Sequence, residues 1–314
     1  MRRILIALAA IAAIAGAARA DTYPSKPVQV IVQFNPGAVS DIIGRVLADE
    51  LGQRLGQQFI VVNREGAGGV IGNTAAAQAR PDGYTLLFAV AGSLTAQPHL
   101  VKDIPYTIDS FAPICQVFET QFIAITSPDS PLKSLADLVQ TARAAPGKRT
   151  YGVFGVGSVP HLQFHSLLMA AKVEMTSVPY RSISQLVTDA SSRQIDVGVT
   201  SFGSLGAAPV RILVGLATKR NEAYPDAPST GELGYPVSDP NFTGLLAPKG
   251  TPPEIIGTLE TACAAAMQAP RMNDVMKRTG SPNIHAGGAD YGKHLRADFE
   301  AKGALVRTLN LKSQ

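Results

Sequence analysis

Three short glycine-bearing turns are the segments of this sequence best suited to binding chemistry. Each is predicted to follow a β-strand and to open an α-helix, where backbone N–H groups lack partners within the helix and the helix dipole is positive. Such a turn favours an anion, and each hydrogen bond to a charged group contributes roughly 1.5–3 kcal/mol. The three turns are Asn35-Pro36-Gly37-Ala38, Gly66-Ala67-Gly68-Gly69 and Gly155-Val156-Gly157-Ser158. Main-chain amides are therefore expected to hold a carboxylate without a buried lysine or arginine.

A simpler interpretation of these turns is that their glycines only permit a tight change of chain direction. For any one turn taken alone, this interpretation is preferred. Three such turns in one chain, each at the carboxyl end of a predicted strand, instead favour a ligand cleft, because ligands of open α/β sheets bind at that edge.

Sequence signatures of enzymes are weak or missing. The run from Gly66 to Gly72 approximates a dinucleotide-binding fingerprint, but Ile71 stands where the last glycine is required. No G-x-S-x-G motif surrounds Ser93 or Ser158, so the signature of a serine hydrolase is missing. We therefore expect no catalysis and no cofactor. A secreted α/β enzyme that binds a phosphate-containing cofactor at the Gly66 turn stays open as the alternative function, and a structural envelope protein as a third.

Two histidines have a spacing that could bind a metal ion. His161 and His165 are four residues apart on a predicted helix, but Leu162 stands where a zinc protease needs a glutamate. We expect no metal site here. His161 is interpreted as a helix-capping or cleft residue and His165 as a surface residue.

Alternating strands and helices are predicted to position the turns. Apolar residues repeat at helical spacing after the first turn, at Val39, Ile43, Leu47, Leu51 and Leu55. Strand-like runs are found at 28–34, 59–62, 84–90, 114–125, 150–154, 174–179 and 195–200. Strands that alternate with helices are typical of parallel sheets, so the predicted fold class is α/β.

The chain is longer than one hydrophobic core usually accommodates, so two lobes are expected. Lobe 1 is predicted to contain residues 21–105 plus 225–314, and lobe 2 residues 106–224. Cys115 and Cys263 then fall in different lobes, where a disulfide would restrain closure. A disulfide stays open as an alternative, but this placement favours free, buried thiols.

The first 20 residues have the pattern of a secretory signal peptide. Arg2 and Arg3 precede an apolar stretch that ends in small residues, and cleavage is expected after Ala20. A membrane anchor would need a longer apolar stretch. Removing the peptide lowers Lys plus Arg from 28 to 25 against 24 Asp plus Glu. The mature protein is therefore expected to be exported, neither inserted in the membrane nor bound to nucleic acid.

Several motifs, taken together, give the sequence a family resemblance. In chain order they are FNPGAVSD (34–41), NREGAGG (63–69), PDGYTL (81–86), Gly157-Ser158 ahead of His161-Leu162, VPYR (178–181), QID (194–196) and LAPKGTP (246–252). This order and spacing resembles the Bug family of periplasmic receptors for tripartite tricarboxylate transporters, over essentially the whole mature chain.

The resemblance implies a type II periplasmic-binding fold with a Venus-flytrap cleft, no catalysis, and a membrane transporter or a sensor as partner. It also implies that the first two turns grip a small, carboxylated ligand and that the second lobe contacts its far end. The implied site residues are Gly37, Ala38, Ser40, Asp41, Gly66, Ala67, Gly68, Gly69, Gly157, Ser158, His161, Thr200 and Ser201.

Some positions depart from the family pattern. Ala38 replaces a glycine, Glu65 a proline, Val159-Pro160 a small polar run and Thr200-Ser201 an aspartate-containing pair. These changes predict a cleft more apolar than usual and a ligand with fewer polar groups than citrate. Asp41 has a second interpretation, because an acidic residue near a helix start also complements the helix dipole.

Overall fold

The computed structural model describes residues 23–236 and 241–308, so the signal peptide predicted at 1–20 lies outside the described residues. The strands are β1 (Val28–Val32), β2 (Phe59–Asn63), β3 (Thr85–Val90), β4 (Phe111–Thr120), β5 (Phe122–Thr126), β6 (Thr150–Phe154), β7 (Thr176–Tyr180), β8 (Val197–Ser201), β9 (Arg211–Leu216), β10 (Asn241–Pro248) and β11 (Asn283–Gly287). The helices are α1 (Val39–Leu55), α2 (Val70–Ala77), α3 (Gly92–Thr95), α4 (Gln97–Leu100), α5 (Leu135–Ala144), α6 (Val159–Ala171), α7 (Ile183–Ser191), α8 (Pro253–Ala266), α9 (Pro270–Thr279) and α10 (Gly288–Thr308). The predicted α/β class is confirmed.

The first sheet has six strands in the order β11-β4-β10-β3-β1-β2. Strand β1 pairs in parallel with both β2 and β3, and β10 runs antiparallel between β3 and β4. Both faces of this sheet are apolar: Val30 packs on the side of α1, whereas Ile31 packs on the opposite side. A strand that is buried on both faces reads as a continuous apolar run, as β1 does.

The second sheet has five strands in the order β7-β6-β8-β5-β9. Strand β6 pairs in parallel with β7 and β8, whereas β5 is antiparallel to β8 and β9. Two apolar clusters cover its faces, one built on α5 and α6 and the other on α7.

The strand-like run predicted at 114–125 is in fact two strands that belong to different sheets. Strand β4 lies in the first sheet and β5 in the second, so the chain changes sheet between Thr120 and Phe122. The assignment of residues 106–224 to one lobe and of 21–105 plus 225–314 to the other stays a prediction. No helix in the described ranges is both long and apolar enough to cross a lipid bilayer.

Cys115 and Cys263 form a disulfide, so the prediction of free thiols was wrong. That prediction assumed that the two cysteines lie in different halves of the molecule. Cys115 instead lies in β4, a strand of the first sheet, and Cys263 lies in α8, which packs on that strand. The bond therefore joins two elements of one core and does not cross between the sheets.

Candidate functional site

The first two glycine turns lie at one edge of the first sheet. Because β1, β2 and β3 are neighbouring parallel strands, the residues that follow them share the carboxyl edge. This edge holds Gly37 and Ala38 after β1, the segment 66–69 after β2, and Gly92 after β3. It is the edge at which open α/β sheets bind ligands.

Asp41 holds the first turn in place through hydrogen bonds to its side chain. Its Oδ2 accepts a hydrogen bond from the Gly37 N–H (2.9 Å) and from Arg45 Nε (3.0 Å), and its Oδ1 accepts one from Asn63 Nδ2 (2.8 Å). The residue is only 2% exposed. The Gly37 amide therefore donates to Asp41 rather than to a ligand, and Asp41 ties the turn to the end of β2. Helix α1 itself begins without a side-chain cap.

These contacts predict a loss of stability in acid that depends on Asp41. Burial alone raises the pKa of this carboxyl, but hydrogen bonds from Arg45, Asn63 and the Gly37 amide outweigh it, so its pKa lies below its ordinary value. A folded-state pKa below the unfolded one gives stability that is complete above about pH 4 and is lost as the pH falls through the folded value. Thermal midpoints from pH 7 to pH 3 should fall less steeply in Asp41→Asn than in the unaltered protein, and parallel curves would contradict this role.

The third turn, at the start of α6, repeats this arrangement with a neutral acceptor. The Gly157 N–H donates to His161 Nδ1 (2.9 Å), four residues later, as Gly37 does to Asp41. Burial, together with the nearby His165, lowers the pKa of His161 to about 4, so its ring is neutral at pH 7. Gly157 has a φ of +74° and Gly37 one of +86°, a left-handed backbone that favours glycine.

Two hydroxyl groups of the predicted site are buried and have no hydrogen-bond partner within the described part of the chain. They are Ser158 Oγ, on the N-cap residue of α6, and Thr200 Oγ1, near the end of β8. Thr200 is 4% exposed. Ser201 differs, because its Oγ lies 2.7 Å from Ser204 Oγ. Buried polar atoms normally have a partner, so these two hydroxyls are open to one from a ligand.

The carboxyl edges of the two sheets meet at three glycine contacts, which are Gly92 with Val159, the first residue of α6, and the two that follow. A side chain at Gly157 would reach within 2.7 Å of Leu100 in α4, and one at Gly203, just after β8, would reach within 2.8 Å of Val39 in α1. The third turn thus lies against α4. The first residue of α4, Gln97, contacts the second turn, because a Cβ atom added to Gly68 would lie 2.7 Å from Gln97 Nε2. The structure places all three turns at edges that face each other.

A buried polar network beneath the first-sheet edge is not apparent from the sequence. Gln33 Nε2 donates to Asn73 Oδ1 and to Ser93 Oγ (2.7 Å), and Gln33 Oε1 accepts from the Val90 N–H (3.0 Å). Tyr106 Oη donates to the Ser93 carbonyl (2.6 Å). The network joins the ends of β1 and β3 to α2. Gln33 is a polar residue directly after the mostly apolar strand β1, and this position is the signal that could have revealed it.

Other features lie apart from this edge. A surface groove lined by Arg54, Leu55 and the α8 residues Gly257 to Ala265 lies at the far end of α1. The 17 residues of α1 place it roughly 25 Å from the first turn. Within residues 23–236 and 241–308, no group of three or more His, Cys, Asp or Glu side chains is arranged to hold a metal ion.

Two relatives from Bordetella pertussis resemble the chain along its length. Protein BugT is 33% identical over 297 residues, which is 91% of each chain. A protein of the UPF0065 group is 31% identical over 314 residues, which is 98% of this chain and 97% of that one.

Solved structures show the same fold. One described as a periplasmic transporter has a TM-score of 0.82 at 33% identity and covers 92% of this chain and 99% of its own. Rpa4515 of R. palustris with adipate has a TM-score of 0.82 at 26% identity, with coverage of 93% and 100%. MatC of Rhodopseudomonas palustris with bound malate has a TM-score of 0.77 at 25% identity, with coverage of 90% and 100%.

A family model described as the tripartite tricarboxylate transporter family receptor matches residues 43–311. This match confirms the resemblance to the Bug receptors that the sequence motifs indicated. The chain belongs to the tripartite tricarboxylate transporter receptor family and is a solute-binding receptor.

Proposed function

We propose that this protein is a periplasmic receptor that binds a small carboxylated metabolite between its two sheets. One observation carries the proposal: α1 and α2 begin without side-chain caps at the edge of the first sheet, and the uncapped start of α6, on the second sheet, lies against Gly92 of the same edge. Uncapped helix starts present free N–H groups at the positive end of the helix dipole, which suits a carboxylate.

Which of the predicted residues bind the ligand depends on which backbone amides have no hydrogen-bond acceptor within their own turn. The amide groups of Gly37 and Gly157 are bound to Asp41 and His161, so these two pairs shape the turns. The Ala38 and Gly69 amides also donate within their own turns, to the Asn35 carbonyl oxygen (3.1 Å) and the Gly66 carbonyl oxygen (3.0 Å). We therefore assign the carboxylate to the other amides at the starts of α1 and α2, next to Ser40 and the segment 66–68. Relatives crystallised with adipate and with malate support a carboxylate as the ligand class.

The far end of the ligand is proposed to be uncharged. On the second sheet, Thr200 and Ser158 offer hydroxyl groups, and the neighbouring Phe154 and Val156 are 38% and 48% exposed. Phe154 is the strand partner of Tyr180 in β7, so two aromatic residues end neighbouring strands at this edge. Hydroxyls beside apolar side chains suit an aliphatic or aromatic acid that has a single carboxylate.

The proposed receptor closes on its ligand by a hinge motion of two lobes and delivers it to a membrane transporter or to a sensor. The lobes are proposed to follow residues 21–105 plus 225–314 and 106–224, except that β4 pairs within the first sheet and therefore moves with the first lobe. Export by a signal peptide cleaved after Ala20 belongs to the same proposal.

Calorimetric titration tests the proposed function directly. The purified protein is titrated with citrate, malate, adipate, hexanoate and benzoate, with glucose as an uncharged control. We expect binding of at least one carboxylate, tightest for hexanoate or benzoate, and no heat from glucose. Tight citrate binding with no response to monocarboxylates would refute the uncharged far end, and no binding of any carboxylate, including metabolites that co-purify in native mass spectrometry, would refute the ligand class.

Replacing Thr200 by valine should weaken ligand binding without weakening the fold. Valine has nearly the same shape, and the hydroxyl it removes has no partner in the described chain, so the thermal midpoint should stay the same or rise. The loss of one hydrogen bond to the ligand should raise the Kd about tenfold, which corresponds to about 1.4 kcal/mol.

The matched control is Thr126→Val, at the last residue of β5, a strand that pairs with the Thr200 strand β8. Thr126 Oγ1 donates to the Asp196 carbonyl (2.8 Å), so this variant should be less stable and bind the ligand as before. An unchanged Kd in Thr200→Val would show that the Thr200 hydroxyl does not bind the ligand.

A further inference from the structure

Two glycines lie where the two halves of the molecule touch, and neither needs to be glycine for its backbone conformation. Gly92 is the first residue of α3, in the half that contains the first sheet. Gly203 lies in the short 3-10 helix Phe202–Ser204 that follows β8 of the second sheet. Since neither has a left-handed backbone, the reason for a residue without a side chain has to be sought in its surroundings.

Gly92 directly faces the start of α6. A Cβ atom added to Gly92 would lie 2.4 Å from Cγ2 of Val159, a separation that two carbon atoms do not adopt. Val159 is buried and begins α6, so its methyl groups have little room to move. The Gly92 N–H is fixed by Asn241 Oδ1 at 3.0 Å. Only a hydrogen atom fits at this contact.

Gly203 makes the reciprocal contact on the other flank. An added Cβ would lie 2.7 Å from the carbonyl oxygen of Thr279, at the end of α9, and 2.8 Å from Cγ2 of Val39, at the start of α1. The carbonyl oxygen belongs to the backbone, so no rotamer change can relieve this contact. The stacked rings of Phe202 and Tyr224, 4.2 Å apart, pack beside it.

The two contacts share a pattern that relates them to the candidate site. In each, a glycine from one half meets a valine that is the first residue of a helix in the other half, and both helix starts belong to the proposed ligand site. How closely the halves approach at these two points therefore sets how closely the start of α1 approaches that of α6.

We propose that Gly92 and Gly203 are positioning residues that set the depth of closure of the cleft and, through it, the affinity for the ligand. The proposal rests on the receptor function proposed above. A methyl group at either position acts as a spacer that keeps the two helix starts apart without touching the ligand.

The test measures the distance between the halves in the protein without ligand. Cysteines introduced at the exposed positions Arg80 and Lys148, which precede β3 and β6 at their amino ends, are spin-labelled, and their distance distribution is measured by pulsed electron resonance. The native cysteines are paired in a disulfide and do not take the label. The variants are Gly92→Ala, Gly203→Ala and Gly92→Ala combined with Val159→Ala. Gly257→Ala is the control, because that helical glycine has open space around it.

The unaltered protein and Gly257→Ala should show a population at the distance seen in the structure. Gly92→Ala and Gly203→Ala should lose it in favour of longer distances, and Val159→Ala should restore it in the Gly92→Ala background, because it removes the opposing methyl groups. Circular dichroism checks that each variant is folded. If Gly92→Ala does not fold, the distances in Gly203→Ala decide the question.

Several results would overturn the proposal. They are an unchanged distribution in folded Gly203→Ala, no restoration by Val159→Ala, or absence of the short distance from the unaltered protein. Because the distances need no ligand, they stand apart from the titration that tests the receptor function. With a carboxylate that binds, both single variants should raise the Kd at least tenfold while the control leaves it unchanged.

Discussion

Replacing Cys115 and Cys263 together by alanine lowers the free energy of unfolding by about 5 kcal/mol, the largest stability change that we expect from any substitution considered. The two residues are 148 positions apart in sequence, and in the chain-entropy account a crosslink over so long a loop removes much of the freedom of the unfolded chain. Both residues are fully buried in the core of the first sheet, so alanine leaves only small gaps. Chemical denaturation of the oxidised protein and of the variant measures the difference.

Reduction provides the matched control for this prediction. The unaltered protein in a strong reductant should unfold at the same denaturant concentration as the double alanine variant, and the reductant should not affect the variant. Mass spectrometry after alkylation of the oxidised, unfolded protein should find no modified cysteine. Two alkylated cysteines, or equal stabilities of the oxidised protein and the variant, would show that the bond does not form in solution.

Replacing Gln33 by leucine should destabilise the protein by about 4 kcal/mol and also abolish ligand binding. The substitution keeps the approximate size of the side chain but leaves two buried groups, the Val90 N–H and Asn73 Oδ1, without their partner, at about 1–3 kcal/mol each. Gln33 also lies against Gly69 and Gly72, where α2 begins. Disturbing it is expected to displace the second turn of the site.

The control for this prediction lies in β1, the strand that Gln33 directly follows. Gln29, four residues earlier in β1, is partly exposed, so Gln29→Leu should change the unfolding free energy and the Kd little. Denaturation and titration of both variants distinguish the network from a general effect of leucine in β1. Equal behaviour of the two variants would show that the network contributes nothing particular.

The fold was largely predictable because its signals are local. Strands and helices around the first three turns follow from short runs and from apolar spacing, and the parallel arrangement follows from their alternation. The pairing of β4 with β10, by contrast, joins residues 111–120 to residues 241–248. No local pattern in either segment indicates which of the two sheets it joins. The disulfide was therefore misjudged, since its prediction depended on that placement.

The candidate site was predictable in its location but not in the use of its donors. The glycine turns indicate helix starts at a sheet edge, and the structure places them there. That the Gly37 and Gly157 amides are bound by Asp41 and His161 depends on side-chain geometry that spacing alone does not fix. Gln33 was missed because a polar residue at the end of an apolar strand has several explanations, and only its three partners in space distinguish them.

The connectivity of the two sheets has a consequence for the order in which the chain can fold as it is synthesised. The second sheet is encoded by one continuous segment, residues 122–216, and can assemble as soon as that segment is free. The first sheet cannot, because its inner strand β10 and its outer strand β11 are synthesised after the whole second sheet. Distant pairings of this kind form slowly. Residues 28–120 therefore cannot complete their sheet until the last quarter of the polypeptide has been synthesised.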